Sequence, residues 1–416
     1  MSAGADTKDW GALAEEWLQR LSQCSEDGEG VTRFPFTAEH RAALEVLREL
    51  MRDCGLSVRL DAAGTLIGRL EGATPGAKTL LTGSHQDSVR NGGAYDGIMG
   101  VVLPALALRR LREDGVALPY SVEVMAFADE EGARFPTALM GPRVLAGTFD
   151  FSVLDRRDED GVTLRRAMSD FGLDPDGLAD LRRDSSGVLG FLECHIEQGP
   201  VLEDAGEVLG AVTAICGIER HSVVFGGRAA HAGTVPMRLR ADALAGAAEL
   251  VVAVETLARE TEGLLATVGV LRVYPGVANA VPGSVEMSLE FRSADDGVRV
   301  GAGERAVETA EDIASRRGLS VRSERTYSQS AVACSSELVD IFVRAIGDVG
   351  GSGMSLASGA THDTSAMADL CSVGMLFLAC RGGVSHNPGE HASAADMGLG
   401  VEAFSRALVL LAEQIN

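Results

Sequence analysis

The chain has 416 residues, 46% hydrophobic, 23% charged and 5% aromatic, a globular composition with material for about two or three domains. Lys and Arg number 37 against 60 Asp and Glu, a formal net charge of -23 that repels phosphate backbones and anionic lipid, so neither nucleic acid nor a membrane surface is an expected partner. Seven scattered cysteines without a C-x-x-C pair, no basic segment leading into an apolar run at the start, and no stretch near the ~20 apolar residues of a membrane helix point to a reducing, cytoplasmic location rather than a disulfide framework or a thiolate zinc site.

The first strong helix signal is FTAEHRAALEVLRELMRDCG. Thr37 is placed to cap it, Leu44, Leu47, Met51 and Cys54 recur at spacings of three and four, and Gly55 ends it. Two short strands are expected over Leu56–Leu60 and Thr65–Leu70. Apolar strands and helices then alternate: a strand Thr79–Ser84 running into His85, a buried helix Ile98–Leu111, a strand Ser121–Ala128 running into Asp129, Glu130 and Glu131, a strand Val188–Cys194 running into His195, and a strand Val373–Cys380 before a glycine-rich loop holding His386. This pattern predicts an α/β fold with a mixed, largely parallel sheet flanked by helices. Between them, strand (220–227), helix (240–260), strands (266–274 and 284–292), helix (304–317) and strand (319–327) follow the β-α-β-β-α-β order of a ferredoxin-like unit. The expected organisation is a discontinuous catalytic domain, 1–216 and 329–416, with an inserted domain at 217–328.

Chemistry concentrates at the strand ends. Of eight histidines, His85, His195 and His386 fall there, with Asp87, Asp96, Glu130 and Glu131. Ligands in open α/β sheets gather outside the carboxyl ends of the strands. Imidazole and carboxylate without thiolate suit Zn²⁺, and more oxygen suits Mn²⁺ or Co²⁺. Two such ions, about 3.5–4 Å apart, need a bridging carboxylate. Asp96 is the expected bridge, because Gly97 after it lets the backbone turn sharply. Asp87 lies two residues beyond His85, on the same strand face, where its carboxylate can orient the imidazole. Glu130 and Glu131, if extended, point to opposite sides, one toward metal and one toward the attacking water.

The segments GSHQDSVRNGGAYDGIMGV (83–101), DEEGARF (129–135), HIEQGPVLE (195–203), HAGTVPM (231–237) and GVSHNPGE (383–390) resemble the M20 metallopeptidase superfamily, most closely its branch of N-carbamoyl-L-amino-acid hydrolases and allantoate amidohydrolases. The resemblance is collinear from about residue 35 to the end. It implies a zinc-exopeptidase-like catalytic domain with an inserted lid and dimerisation domain, and two divalent ions per subunit, Zn²⁺ first and Mn²⁺, Co²⁺ or Ni²⁺ as alternatives. It makes His85 and His195 ligands of one metal, Glu131 and His386 ligands of the other, Asp96 the bridge, Asp87 the carboxylate behind His85, and Glu130 the general base. A cis peptide after Asp96 would fit the family. Gln198 is implied as a substrate contact, His231 as the lid histidine that steadies the oxyanion in a neighbouring subunit, and Asn279 and Arg292 as binders of the substrate carboxylate. Ser358, Gly359 and Ala360 resemble a backbone clamp on that carboxylate, and Arg240 is either a structural partner or an interface arginine. Two positions depart from the family: Thr361 replaces a common glycine, and Gln86 an aliphatic residue. His40, His221 and His391 match no functional position.

The implied protein is a homodimeric, binuclear-metal amidohydrolase that cleaves the ureido C–N bond of a small carboxylate, an N-carbamoyl-L-amino acid or allantoate. The alternatives are a dipeptidase or aminoacylase of the same superfamily, and a non-catalytic binding protein on the same fold.

Overall fold

The computed structural model describes residues 8–415, which divide into two compact units: residues up to 213 with 334–356 and those from 360 onward, and residues 214–333 with 357–359. The first elements among the described residues are α1 (Trp10–Ser22), α2 (Ala38–Asp53), β1 (Ser57–Leu60), β2 (Leu66–Leu70), β3 (Thr79–His85) and α3 (Met99–Glu113). It continues through β4 (Ser121–Phe127), α4 (Met140–Ala146), α5 (Leu164–Phe171), β5 (Val188–Ile196), α6 (Val201–Ala205) and β6 (Leu209–Ile215). The second unit follows with β7 (Gly217–Gly226), β8 (Ala230–His231), α7 (Ala243–Glu260), β9 (Leu265–Tyr274), β10 (Ala280–Val281), β11 (Ser284–Ser293), α8 (Asp296–Arg317), β12 (Ser320–Gln329) and β13 (Val332–Ala333). The remaining elements are α9 (Ser336–Asp348), β14 (Ser355–Ser358), α10 (Asp363–Met367), β15 (Val373–Leu378) and α11 (Ala394–Ile415).

The first unit is built on a sheet of order β1-β2-β4-β3-β5-β15-β6. Its four central strands are parallel, and the pairings outside them are antiparallel. The α/β class and the largely parallel centre agree with the sequence reading. Strands β3 and β4 are buried at every residue, as strands covered by helices on both faces must be. Helix α3 is buried on nearly all sides, and α2 lays Leu44, Leu47, Leu50 and Met51 into the core. Thr37 caps α2 by accepting from the His40 N–H, and Gly55 follows it at φ 83°. No helix among the described residues is long and apolar enough to cross a membrane.

In the second unit four antiparallel strands stand in the order β12-β7-β11-β9. Strand β11 alternates strictly, so Val285, Met287, Leu289 and Phe291 face α7 and α8 and form a separate core with Ala247, Leu250, Ala306, Ala310 and Ile313. Helix α8 starts at Asp296, well before the expected Glu304, because Asp295 caps it by accepting from the Gly297 and Val298 N–H groups. Helices α1, α4, α6, α9, α10 and α11 and strands β6, β8, β10, β13 and β14 add to the elements expected from the sequence.

Candidate metal centre

Three adjacent parallel strands deliver the site. His85 ends β3, opposite Phe127 of β4, and His195 lies one residue before the end of β5. The segment 129–131 follows β4. Each strand-end imidazole has its Nδ1 against a carbonyl: His85 at 3.0 Å from Asp87 O, His195 at 2.8 Å from Ile196 O. A carbonyl only accepts, so Nδ1 carries the proton and Nε2 is left as the ligand atom. Both Nε2 atoms face Asp96 Oδ1, at 3.8 Å from His85 and 3.2 Å from His195. The other carboxylate oxygen, Oδ2, lies 3.2 Å from His386 Nε2, which is itself 3.7 Å from Glu131 Oε1. Each of the trios His85–Asp96–His195, Asp96–Glu131–His386 and His85–Glu130–Glu131 has ligand atoms within 4.8 Å of one another.

Several details differ from the sequence reading. The Asp96–Gly97 peptide is trans; among the described residues the cis bond is Tyr274–Pro275, and the turn after Asp96 is made by Gly97 at φ 66°. Glu130 and Glu131 converge instead of pointing apart, because the chain bends after β4 rather than staying extended. The Asp87 carboxylate sits 3.7 Å from His85 Nδ1, and it is the Asp87 carbonyl that holds the ring. The carboxylate instead accepts from the N–H groups of Glu130 (3.1 Å) and Glu131 (3.2 Å), fixing the glutamate pair.

The electrostatics match a cation site. Burial, then the charges of Glu131, Asp363, Asp87 and Asp96, push Glu130 well above the usual carboxylate range. Burial, with Asp96 and Asp87 nearby, pushes Glu131 up to about 8. Burial would raise Asp96 as well, but hydrogen bonds from His195 and His386 outweigh it and hold this carboxyl well below its ordinary value. Burial lowers His195, yet Asp96 raises it further, to about 9. The Asp96 hydrogen bond likewise carries His386 to about 9. Glu130 and Glu131 resist ionising together, and His195 and His386 keep protons through Asp96, while burial lowers His85 to about 4. A divalent cation relieves both conditions by displacing the protons, so the donor set fits such an ion.

Behind the ligands lies a polar layer that sequence reasoning did not single out. Glu193, buried in β5, accepts from Ser84 Oγ (2.7 Å), Thr364 Oγ1 (2.6 Å) and Thr364 N (2.9 Å). The buried His362 ring meets His195 edge-on at 4.5 Å. Glu390 binds the loop of Asp96, accepting from the Tyr95 and Asp96 N–H groups at 2.9 Å each. The available signal was a carboxylate inside the otherwise apolar strand FLECHI, two residues from a candidate ligand. Gln198 stands within the site at φ 58°, its Nε2 donating to Asp96 Oδ2 (3.0 Å) and Ser385 Oγ (3.2 Å). Gln86 is buried and donates to Ala126 O, a structural contact below the site.

His231, Asn279 and Arg292 belong to the second unit. The β8/β10 pairing and an Ala232 N–H to Asn279 O bond of 2.9 Å bring the His231 and Asn279 segments side by side. Arg240 donates to Ala232 O and Val235 O, so it shapes the His231 turn from within the chain. Arg292 donates to Gly359 O at 2.6 Å and to Glu290 Oε1 at 2.8 Å. Ala360 and Thr361 continue from Gly359 into the first unit.

The family described as Peptidase family M20/M25/M40 matches residues 73–409. An N-carbamoyl-L-amino acid amidohydrolase of Geobacillus stearothermophilus is 41% identical over 403 residues, covering 96% of this chain and 98% of that protein. An allantoate deiminase of Arabidopsis thaliana is 35% identical over 420 residues, covering 93% of this chain and 80% of that protein. The crystal structure of an amidase of the hydantoinase/carbamoylase family from Burkholderia multivorans superposes with a TM-score of 0.91 at 30% identity, covering 97% of this chain and 98% of that one.

Proposed function

The chain belongs to peptidase family M20/M25/M40, and on that premise we propose that it is a binuclear-metal amidohydrolase cleaving the ureido C–N bond of an N-carbamoyl-L-amino acid or an allantoate-like carboxylate. One observation carries the reading: the two oxygens of Asp96 serve two different ligand groups, Oδ1 facing His85 and His195 and Oδ2 facing His386. That is the arrangement of a carboxylate shared by two ions. Zn²⁺ suits this imidazole and carboxylate set first, with Mn²⁺, Co²⁺ or Ni²⁺ as alternatives. When bound, such ions polarise the ureido carbonyl and acidify the attacking water.

The chain's own groups do the rest. Glu130, buried beside the candidate ligands and free to ionise once a cation offsets the neighbouring carboxylates, takes the proton from the water and returns it to the leaving nitrogen. Asp87 holds the Glu130 N–H and so fixes where the base stands. Gln198 contacts the substrate. Arg292 and Asn279, with the backbone of Gly359 and Ala360, hold the substrate carboxylate, a planar anion suited to the guanidinium fork. His231 steadies the developing oxyanion, supplied to a neighbouring subunit's site by residues 217–328 acting as a lid and dimerisation domain. The exposed Leu265, Leu271 and Tyr274 of edge strand β9 support a homodimer through that unit. Free cysteines throughout support a cytoplasmic setting.

The test is ammonia and amine release from N-carbamoyl-L-amino acids, allantoate, ureidoglycolate, 3-ureidopropionate, N-acetyl amino acids and dipeptides. Protein loaded with each of the four ions is compared with the Glu130→Gln variant. We expect turnover of a ureido acid, falling about 10²–10⁴-fold in the variant with metal content unchanged. Cleavage confined to acyl or peptide amides would replace this reading with an aminoacylase or dipeptidase. No turnover with two ions bound per chain would mean that the Thr361 departure has redirected the pocket to a substrate outside this panel.

A further inference from the structure

The two halves of the metal centre are held by different means. His85 and His195 are buried strand residues with their rings fixed by backbone carbonyls. His386 lies in a loop, at φ 54° and with half its side chain exposed. It is almost three hundred residues along the chain from Asp96, and strand pairing does not set their separation. What joins the two loops is Glu390. Its Oε1 accepts from the N–H groups of Tyr95 and Asp96, at 2.9 Å each. Its Oε2 accepts from Ser385 Oγ, beside His386, at 2.9 Å. Ser385 Oγ also lies 3.3 Å from Asp96 Oδ2. The carboxylate is buried, and the chain makes room for it: a Cβ on Gly93 would stand 2.0 Å from Glu390 Oε1 and 2.1 Å from its carboxyl carbon. Gly93 is not among the residues with positive φ, so what requires glycine there is the carboxylate and not the backbone.

From this geometry we propose that Glu390 is a positioning residue that clasps the Asp96 loop to the His386 loop and thereby assembles the Asp96–Glu131–His386 half of the centre. The inference rests on the metal reading given above, since it takes Asp96 and His386 to be ligands. Glu390 touches neither metal nor substrate in this role. It sets the spacing of the ligands by satisfying two backbone N–H groups and one hydroxyl at once. Losing such a support typically costs about 10–100-fold in metal affinity. The loss belongs mainly to the half that depends on a loop, because the strand-borne half keeps its own supports.

The experiment is a Co²⁺ titration of the full-length protein followed by visible absorption. His386→Ala and His195→Ala identify which band reports which half. In Glu390→Ala the band that His386→Ala abolishes should need about 10–100-fold more Co²⁺, while the other band moves much less. Ser385→Ala, which removes the hydroxyl that Glu390 holds along with its contacts to Asp96 and Gln198, and Gly93→Ala, which displaces the carboxylate without altering it or Ser385, should shift the same band. Glu390→Gln, which keeps an oxygen for the two N–H groups and can donate to Ser385, should restore it to nearly the wild-type midpoint. Unchanged midpoints in Glu390→Ala and Ser385→Ala overturn the proposal. So does an equal weakening of both bands in step with a lowered thermal midpoint of the metal-free protein, the result of a merely structural role. Fewer than two Co²⁺ bound by the wild type would instead show that the metal reading itself fails, and the clasp with it.

Discussion

Asp87 shows how a residue's neighbours in sequence can mislead about its work. Its place two positions after His85 pointed to the imidazole, yet its carboxylate serves the segment after β4, one oxygen for each N–H of Glu130 and Glu131. Asp87→Asn therefore sets an NH₂ group against one of those N–H groups and should push the glutamates out of place. The expected result is a fall in kcat of about 10–100-fold with KM little changed, because Asp87 is not among the groups proposed to hold the substrate carboxylate. Steady-state kinetics at matched metal content would check this, and a rise in KM alone would contradict it. The candidate ligands that the fold gathers were legible in the sequence, since histidines and carboxylates at strand ends carry their chemistry in their identity. Their supports were not. Glu193, Glu390 and His362 act through contacts across strands or between loops that only the folded chain brings together.

Elements were legible where one periodicity ruled and hidden where a close approach demanded glycine. Helix α8 was read from Glu304 because Gly297, Gly301 and Gly303 interrupt its earlier turns. Gly303 is there for its neighbours: a Cβ would stand 2.4 Å from Glu219 Oε1 and 2.7 Å from His221 Nε2. Those two side chains bond to each other at 2.7 Å, and Arg299 donates to Glu219 at 2.7 Å, all within the second unit and all buried. Gly303→Ala gains about 1 kcal/mol of helix propensity but overpacks a buried ionic cluster, at a cost of about 1–3 kcal/mol. Net destabilisation is expected in urea unfolding, against the propensity rule. Helix α11 was missed for a related reason, its glycines masking a long apolar helix against which Gly11 packs with no room for a Cβ. In α2, His40 is buried, stacks on Phe171 at 4.8 Å and accepts the Phe36 N–H at Nδ1. Burial, with the charges of Arg33 and Arg41, depresses it from 6.5 to about 3. The unfolded chain binds this proton first, so stability is full above the unfolded value and falls as pH drops below it. At pH 5 the loss is about 2 kcal/mol relative to pH 7. His40→Asn, whose side-chain oxygen can still accept the Phe36 N–H, should remove that difference in urea titrations at the two pH values; an unchanged difference would place the acid sensitivity elsewhere.

For the whole chain, the consequence lies in how the ligands and the two cores are distributed. Every candidate ligand, from His85 to His386, belongs to the first unit, while the second has its own core of Val223, Phe225, Val285, Leu289 and the facing residues of α7 and α8. The alternation of apolar strands with helices was legible in the sequence, but strand direction outside the parallel centre was beyond it, because an apolar strand reads alike in either sense. An ion that binds only the folded state stabilises that state by about 2.7 kcal/mol when present at 100 times its dissociation constant. That gain reaches only amides whose opening destroys the site. Hydrogen exchange of chelator-treated protein, before and after adding Zn²⁺, should therefore show slowed exchange in β3, β5 and the segments 93–97, 129–132 and 385–390. The amides of β7 and β11 should exchange at the same rate in both conditions. Equal protection in both units would mean that they open as one cooperative body, and that metal occupancy is felt in the unit holding His231, Asn279 and Arg292 even though none of the ligands lies there.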